Sequence, residues 1–346
     1  MKICFFGDYD PNYNRIRVIL KGLNRIGVSY VEVRSDKRGP ALFFDLVRKY
    51  RSIGPHDVVV VAYGGNRLLP ILARLISARP VVWDPLYSLY DNWVYDRKLT
   101  RPHSVKAYYY WFIDWLGCMV SNKIFLDTVT DATYFERTFH VPKRKLGCVY
   151  VGADDEVFQF APFIEKKEKF EVEFHGKYIP VQGVDVLVRA AKILENDPVH
   201  FTIIGSGQES ANVQRLASEL GVRNVDFLPY LSQAEIVSYI ERCDVSIGLI
   251  GDVPRVVRAI PNKMYEASAM GRATISVDST SIRELYEIGK SAVGVERGSA
   301  TAVAQAIRDM ISRGNAKELG EHAYNVYKSR ATPEIVARQL LLFLEQ

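Results

Sequence analysis

Four stretches in the second half of the chain, two of them overlapping, carry residues suited to a ligand that is both charged and rich in hydroxyls. In PNKMYEASAMGRATISVD, residues 261–278, a Pro-Asn-Lys turn leads into a short helical run bearing Lys263 and Glu266, closed by Gly271 before an apolar strand. A carboxylate just inside a helix, above the carboxyl edge of a parallel sheet, is placed to take both hydroxyls of a ribose. In FHGKYIPVQGVD, residues 174–185, a strand runs into Gly176 and Lys177, and a helix begins near Gly183. Open backbone N–H groups at that helix start, with Lys177 beside them, favour a diphosphate. A plain connection with a surface lysine fits the same residues. In IIGSGQES, residues 203–210, Gly205, Ser206 and Gly207 follow the first part of a dinucleotide fingerprint, but Ser210 replaces its third glycine. No acidic residue ends a following strand at the right distance, so this loop reads as a wall of a nucleotide pocket and not as an NAD site. Finally, GDVPRVVRAIPNK brings Arg255, Arg258 and Lys263 close together just before Glu266. Such a basic loop is apt for a nucleotide diphosphate, with a solvated loop as the alternative.

The elements around these loops set the frame. A chain of 346 residues is long for one core and comfortable for two domains. With 48% apolar and 25% charged residues, it has the balance of a soluble globular protein. The net charge of +5 is uneven: residues 1–160 hold 23 Lys and Arg against 16 Asp and Glu, and the remainder 22 against 24. A basic first half suits an anionic partner, such as a lipid headgroup, a phosphate or nucleic acid, or only a solvated surface. Cys4, Cys118, Cys148 and Cys243 are far apart, without metal-ligand spacing, and read as reduced thiols of a cytosolic protein. The start, MKICFFGDYD, lacks the apolar core of a signal peptide, and no run approaches the ~20 apolar residues that span a bilayer.

Short apolar runs alternate with helical periodicity along the whole chain, which predicts parallel, doubly wound sheets. Strands are expected at 2–6, 28–33, 57–61, 80–83 and 146–151, with helices at 15–26 and 68–76 between them. After a charged, turn-rich linker at 161–171 the rhythm restarts: strands at 172–174, 200–204, 225–228 and 245–249, helices at 183–194, 210–220 and 233–242. One segment stands out. YYYWFIDWLGCM, residues 108–119, is dense in aromatics yet carries Asp114. It suits packing against a neighbouring helix or, with Arg97, Arg101 and Lys106 nearby, a face dipping into a membrane interface.

Taken in order, GKYIPVQGVDVLVRAA, FTIIGSG, VDFLPYLSQAEIVSYIERCDVSIGL, IPNKMYEASAMG and IRELYE resemble the second domain of family-four glycosyltransferases, retaining enzymes of the GT-B fold. The resemblance is strong over 170–312 and extends weakly to VYVGADDEVF. It implies a ribose-binding Glu266, and it sets Lys177 where the family has a diphosphate-holding arginine. It places Gly205 to Gly207 and Leu228 to Tyr230 along the base, and Glu284 at a common acidic position. Two departures stand out. Arg258 occupies the place of a second glutamate that usually touches the donor sugar, and Gln182 that of a second phosphate-binding lysine. Arg258 or Lys263 could supply the missing charge; otherwise donor binding is weak or lost.

The first half carries fewer signals. Gly7 and Asp8 open the loop that in this family approaches the donor phosphates. Asp8, Tyr9 and Asp10 mimic the metal-binding D-x-D of another glycosyltransferase fold, where the motif lies much deeper in the chain, so a metal is not expected. Asp84, after Trp83 at a strand end, and Asp91 could orient hydroxyls of acceptor or donor, or cap helices. His103 is a further acceptor candidate; for it and for His175 a structural or exposed role is the simpler reading.

The expected protein is α/β, with two Rossmann-like domains facing each other across a cleft. Residues 1–160 form the acceptor side and 161–346 the donor side, the terminal helix at about 333–346 packing back towards the first domain. Its expected reaction, implied by the resemblance, is retaining, metal-independent transfer from a UDP- or GDP-linked sugar to an acceptor hydroxyl, in polysaccharide or glycolipid synthesis. Lys177, Arg258 and Asp84 are the expected catalytic groups, and front-face attack would need no protein nucleophile. No cofactor and no nucleic acid are expected as partners. The expected location is the cytoplasm, with attachment to the inner membrane face left open. A catalytically silent partner subunit and a nucleotide-sugar epimerase are the alternatives.

Overall fold

The computed structural model describes every residue except 166 and 167, which fall in the expected linker. The chain forms two compact units: residues 1–151 with 332–346, and residues 152–331. The chain therefore passes from the first unit between Val151 and Gly152, not between 160 and 161 as expected from the sequence. Side-chain pins explain the position. Tyr327 Oη donates to the Ala153 carbonyl at 3.1 Å, and buried Arg272 donates to the carbonyls of Ala161, Pro162 and Glu241.

The first unit holds six parallel strands: β1 (Ile3–Gly7), β2 (Tyr30–Arg34), β3 (Val58–Val61), β4 (Val81–Leu86), β5 (Lys123–Leu126) and β6 (Leu146–Cys148), in the order β2-β1-β3-β4-β5-β6. β1 and β3 are buried along their whole length, as expected for a sheet covered on both faces. The sequence reading named no element between β2 and β3, yet a helix spans Pro40–Ser52. Its buried stripe is thin, only Leu42, Asp45 and Leu46, while Phe44 faces outward, so its periodicity is faint.

The terminal helix Pro333–Glu345 belongs to this unit. It lies against the helix Asn14–Arg25 so closely that the Pro333 carbonyl leaves no room for a Cβ at Gly22. Val336, Leu340 and Phe343 are buried there, each contributing ~1.5–3 kcal/mol. Lys123 Nζ caps the far end, donating to the carbonyls of Phe343 and Leu344 at 2.9 and 3.0 Å.

The second unit has six more parallel strands: β7 (Phe170–His175), β8 (Val199–Ile204), β9 (Val225–Leu228), β10 (Val245–Ile247), β11 (Ala273–Val277) and β12 (Val293–Val295). Their order is β12-β11-β10-β7-β8-β9, so the direction of winding reverses between β7 and β10. Ligands of open α/β sheets bind outside the carboxyl ends of the strands at such a reversal. The loops leaving β7 and β10 are the ones the sequence singles out.

Candidate active site

β7 reads FEVEFH, and the pleat puts Glu173 and His175 on one face. Glu173 is buried and needs partners for both oxygens. Ser246 Oγ on β10 donates to Oε2 at 2.7 Å, and His175 Nδ1 lies 2.7 Å from Oε1. The other ring nitrogen, Nε2, lies 2.7 Å from Oε2 of Glu266, on the buried helix Asn262–Ala269. A neutral imidazole donates from one nitrogen only, whereas the imidazolium donates from both. Burial alone would push the His175 pKa down, but Glu173 and Glu266 outweigh it and raise it to about 9.

Lys263 sits one turn before Glu266 and is also buried. Its ammonium donates to Gln182 Oε1 at 2.6 Å and stands 3.5 Å from the centre of the Phe174 ring. Burial lowers its pKa to about 7, against the pull of Glu173 and Glu266. With both bases protonated, two cations balance two carboxylates in one buried cluster. Lys263 thus places an ammonium directly against the Gln182 side chain.

The glycines around this cluster serve close packing of two loops. Gly205 has φ +134°, and the Gly176 carbonyl leaves no room for a Cβ there. Tyr178 N–H donates to the Ser206 carbonyl at 3.0 Å, and the Gly207 N–H to Ser210 Oγ at 2.7 Å. Ser210, the residue that breaks the dinucleotide fingerprint, therefore closes the Gly207 turn. Lys177 is exposed at the tip of the first loop. Tyr230 is 77% exposed beyond β9. Arg258 is half-buried after the short 3₁₀ turn Pro254–Val257, with Nη1 3.4 Å from the Pro254 carbonyl. The structure thus gathers Gly176, Gln182, Gly205, Ser206, Gly207, Lys263 and Glu266. Sequence reasoning missed Glu173 and read His175 as structural or exposed; the structure buries it between two carboxylates, and the E-x-H alternation in an apolar strand was a visible signal.

The aspartates singled out in the first unit already have partners there. Asp84 was expected to meet hydroxyls, but it is buried with both oxygens 2.7–2.9 Å from Arg15 Nε. Arg15 is buried too, and its Nη1 donates to the Val149 carbonyl at 3.0 Å. Gly7 ends β1 at φ +146°, and Asp8 turns onto the Gly64–Gly65 backbone, taking N–H groups of Gly65 and Asn66. Tyr9 donates to Glu32 at 2.8 Å, and Asp10 accepts from the Asn12 N–H at 2.9 Å, so Asp8 and Asp10 each serve a turn. Asp91 is buried in the turn capped by Ser88, and His103 is exposed at φ +60°.

Residues 155–326 match the family model described as glycosyl transferases group 1. The chain belongs to the group 1 glycosyl transferases. Every residue of the buried cluster lies inside the matched span. Over 143 residues, 40% of the chain, it is 28% identical to WcaI of Escherichia coli K12, by name a colanic acid biosynthesis glycosyl transferase. Over 184 residues, 51% of the chain, it is 24% identical to the amylovoran biosynthesis glycosyltransferase AmsK of Erwinia amylovora. These stretches cover 34% and 44% of those relatives, so the chain matches less than half of either. Among solved structures it is similar to Anabaena Alr3699/HepE, seen with UDP and with UDP-glucose. That likeness covers all of both chains for the UDP complex, with a TM-score of 0.75 at 14% identity, and shows a shared two-domain α/β fold of GT-B type.

Proposed function

We propose that this group 1 glycosyl transferase moves a sugar from a nucleotide diphosphate to an acceptor hydroxyl, with retention and without a divalent ion. The observation that carries the reading is the buried Glu173–His175–Glu266 array with Lys263 at the winding reversal of the second sheet. In this reading Glu266 takes the ribose hydroxyls while His175 holds its Oε2 in place. Charge develops on the leaving diphosphate as the glycosidic bond breaks. Groups aimed at that charge lower the barrier most when they are already in position. Lys263, Lys177, Arg258 and the N–H groups opening the helix Val184–Ile193 supply them. The acceptor proton goes to the departing phosphate oxygen, so no protein nucleophile is needed.

UDP is the leading nucleotide, because the similar HepE is seen with UDP and UDP-glucose. The names of WcaI and AmsK favour polysaccharide synthesis. Thiols at Cys4, Cys118 and Cys243, all buried, suit the cytoplasm.

A thermal-shift series with UDP, GDP, ADP and TDP, with and without EDTA, tests the proposal. A ligand at a hundred times its Kd adds about 2.7 kcal/mol, enough to raise Tm by several degrees. The expected result is a shift with UDP that EDTA leaves intact, followed by sugar release from UDP-glucose in a turnover assay. No shift with any nucleotide would overturn the donor site. A shift without turnover on any sugar conjugate would favour a silent binding subunit.

A further inference from the structure

The helix Val105–Val120 in the first unit has two faces with opposite needs. On its inner face Asp114 is buried, accepting from Ser88 Oγ at 2.8 Å and from the Tyr90 N–H at 3.0 Å. Around it Ala107, Tyr110, Ile113, Gly117 and Cys118 fill the core. This accounts for a carboxylate in an aromatic run: it points inward, and its Oδ2 is held there by two donors.

The outer face is apolar and bare. Val105 is 88% exposed, Tyr108 60%, Tyr109 54% and Phe112 47%. They fall at i, i+3, i+4 and i+7, a single stripe along the helix. A stripe with this period normally faces a core, and here none of the described residues covers it. Leu99 lies exposed in the preceding segment. Lys98, Arg101 and Lys106 are exposed beside these residues, the Lys106 ammonium lying 5.4 Å from the Trp93 ring centre and 5.8 Å from that of Tyr110. Between residues 92 and 126 the acidic residues are Asp96 and Asp114, both fully buried. The surface of this segment is therefore aromatic and positive, without an exposed carboxylate. Among the described residues no helix is long and apolar enough to cross a membrane, so the stripe is not part of a span.

We propose that this face docks onto a bilayer containing anionic lipids, the helix Val105–Val120 lying in the plane of the interface. Tyrosine rings sit well at headgroup depth, where one end is apolar and the other wet. Lysine and arginine beside them meet the lipid phosphates. A second copy of the chain fits less well. A twofold contact brings the same patch against itself, setting Lys98, Arg101 and Lys106 against their own copies. The proposal does not depend on the donor reading.

Co-sedimentation of the full chain with phosphatidylcholine vesicles, with and without phosphatidylglycerol, tests it at low and high salt. Two variants accompany the parent: Tyr108→Gln/Tyr109→Gln/Phe112→Gln and Lys98→Gln/Arg101→Gln/Lys106→Gln. All the substituted side chains are exposed, so Tm should hold, and the response to UDP is measured in parallel to separate this surface from the donor site. The expected result is binding that needs phosphatidylglycerol and weakens with salt. The aromatic variant should bind at least about tenfold more weakly, and the charge variant about fivefold more weakly per cation removed. Absence of binding to phosphatidylglycerol vesicles at low salt overturns the proposal, as does an aromatic variant that sediments like the parent. A parent dimer that the aromatic variant splits, without vesicle binding, assigns the face to a second copy and also overturns it.

Discussion

Above the carboxyl edge of the first sheet, one buried cation meets one buried carboxylate, Arg15 against Asp84, and a backbone carbonyl takes a further guanidinium hydrogen. Above that of the second sheet, two carboxylates share two bases, His175 and Lys263, whose pKa values lie near 9 and 7. The first arrangement is a direct pair: burial pushes the Asp84 carboxyl up, the guanidinium of Arg15 pulls against that, and the two tie β4 to the Val149 carbonyl just past β6. The second is adjustable. Protonation of either base alters the balance of the cluster within the working pH range, and exposed Lys177 stands on the loop that follows β7. Two parallel sheets built by the same rules thus arrange buried charge differently, one as a single pair and one as a cluster of two carboxylates and two bases.

The sharpest way to break this contrast is Asp84→Asn, which strands the buried Arg15 charge. Loss of one partner of a buried pair costs about 3–5 kcal/mol. Chemical denaturation should show a drop of that order. Normal stability with lost activity would instead return Asp84 to the reaction.

Next in size is the pH response of the second cluster. The His175 pKa rises from 6.5 unfolded to about 9 folded, so its contribution is complete below pH 6.5 and fades as pH rises through 9. It amounts to about 3 kcal/mol at most. Lys263 has the opposite sign: its pKa falls from 10.5 to about 7, so its burial penalty is full below pH 7 and lifts as pH climbs towards 10.5. The stability gap between parent and His175→Gln should therefore narrow between pH 6.5 and 9. The stability of Lys263→Met itself should fall more steeply than the parent's over this range, because the opposing slope is gone. A gap that stays constant over this range would mean that His175 is neutral in the fold.

The smallest effect expected is on the ligand alone. Glu266→Gln removes a charged acceptor worth about 1.5–3 kcal/mol, so UDP should bind roughly ten- to a hundredfold more weakly. Calorimetric titration with UDP checks this, and unchanged affinity would move the ribose away from Glu266.

Much of this was legible from the residues. The α/β alternation is a matter of period, and helices such as Ser210–Leu220 and Gln233–Arg242 begin and end where the sequence pattern puts them. The Pro40–Ser52 helix escaped because it buries too little to leave a pattern. Within the cluster, Lys263 and Glu266 lie one turn apart and could be read together. Glu173 and His175 could not be joined to them, since 91 residues separate His175 from Glu266 and only the winding of the second sheet brings them together. Asp84 could not be joined to its partner for the same reason. Its partner lies 69 residues earlier, and an aspartate at a strand end looks alike whether it faces solvent or a buried arginine.

The return of residues 332–346 to the first unit also bears on how the protein comes into being. During synthesis all six strands of the first sheet leave the ribosome early, but the helix that covers Gly22 and Gly147 is translated only after the whole second unit. The second unit, contiguous in sequence, has everything it needs to mature first, reversing the usual amino-to-carboxyl order of domain folding. Until its last helix arrives, the nascent first unit carries an open apolar seam and depends on whatever shields it in the cell.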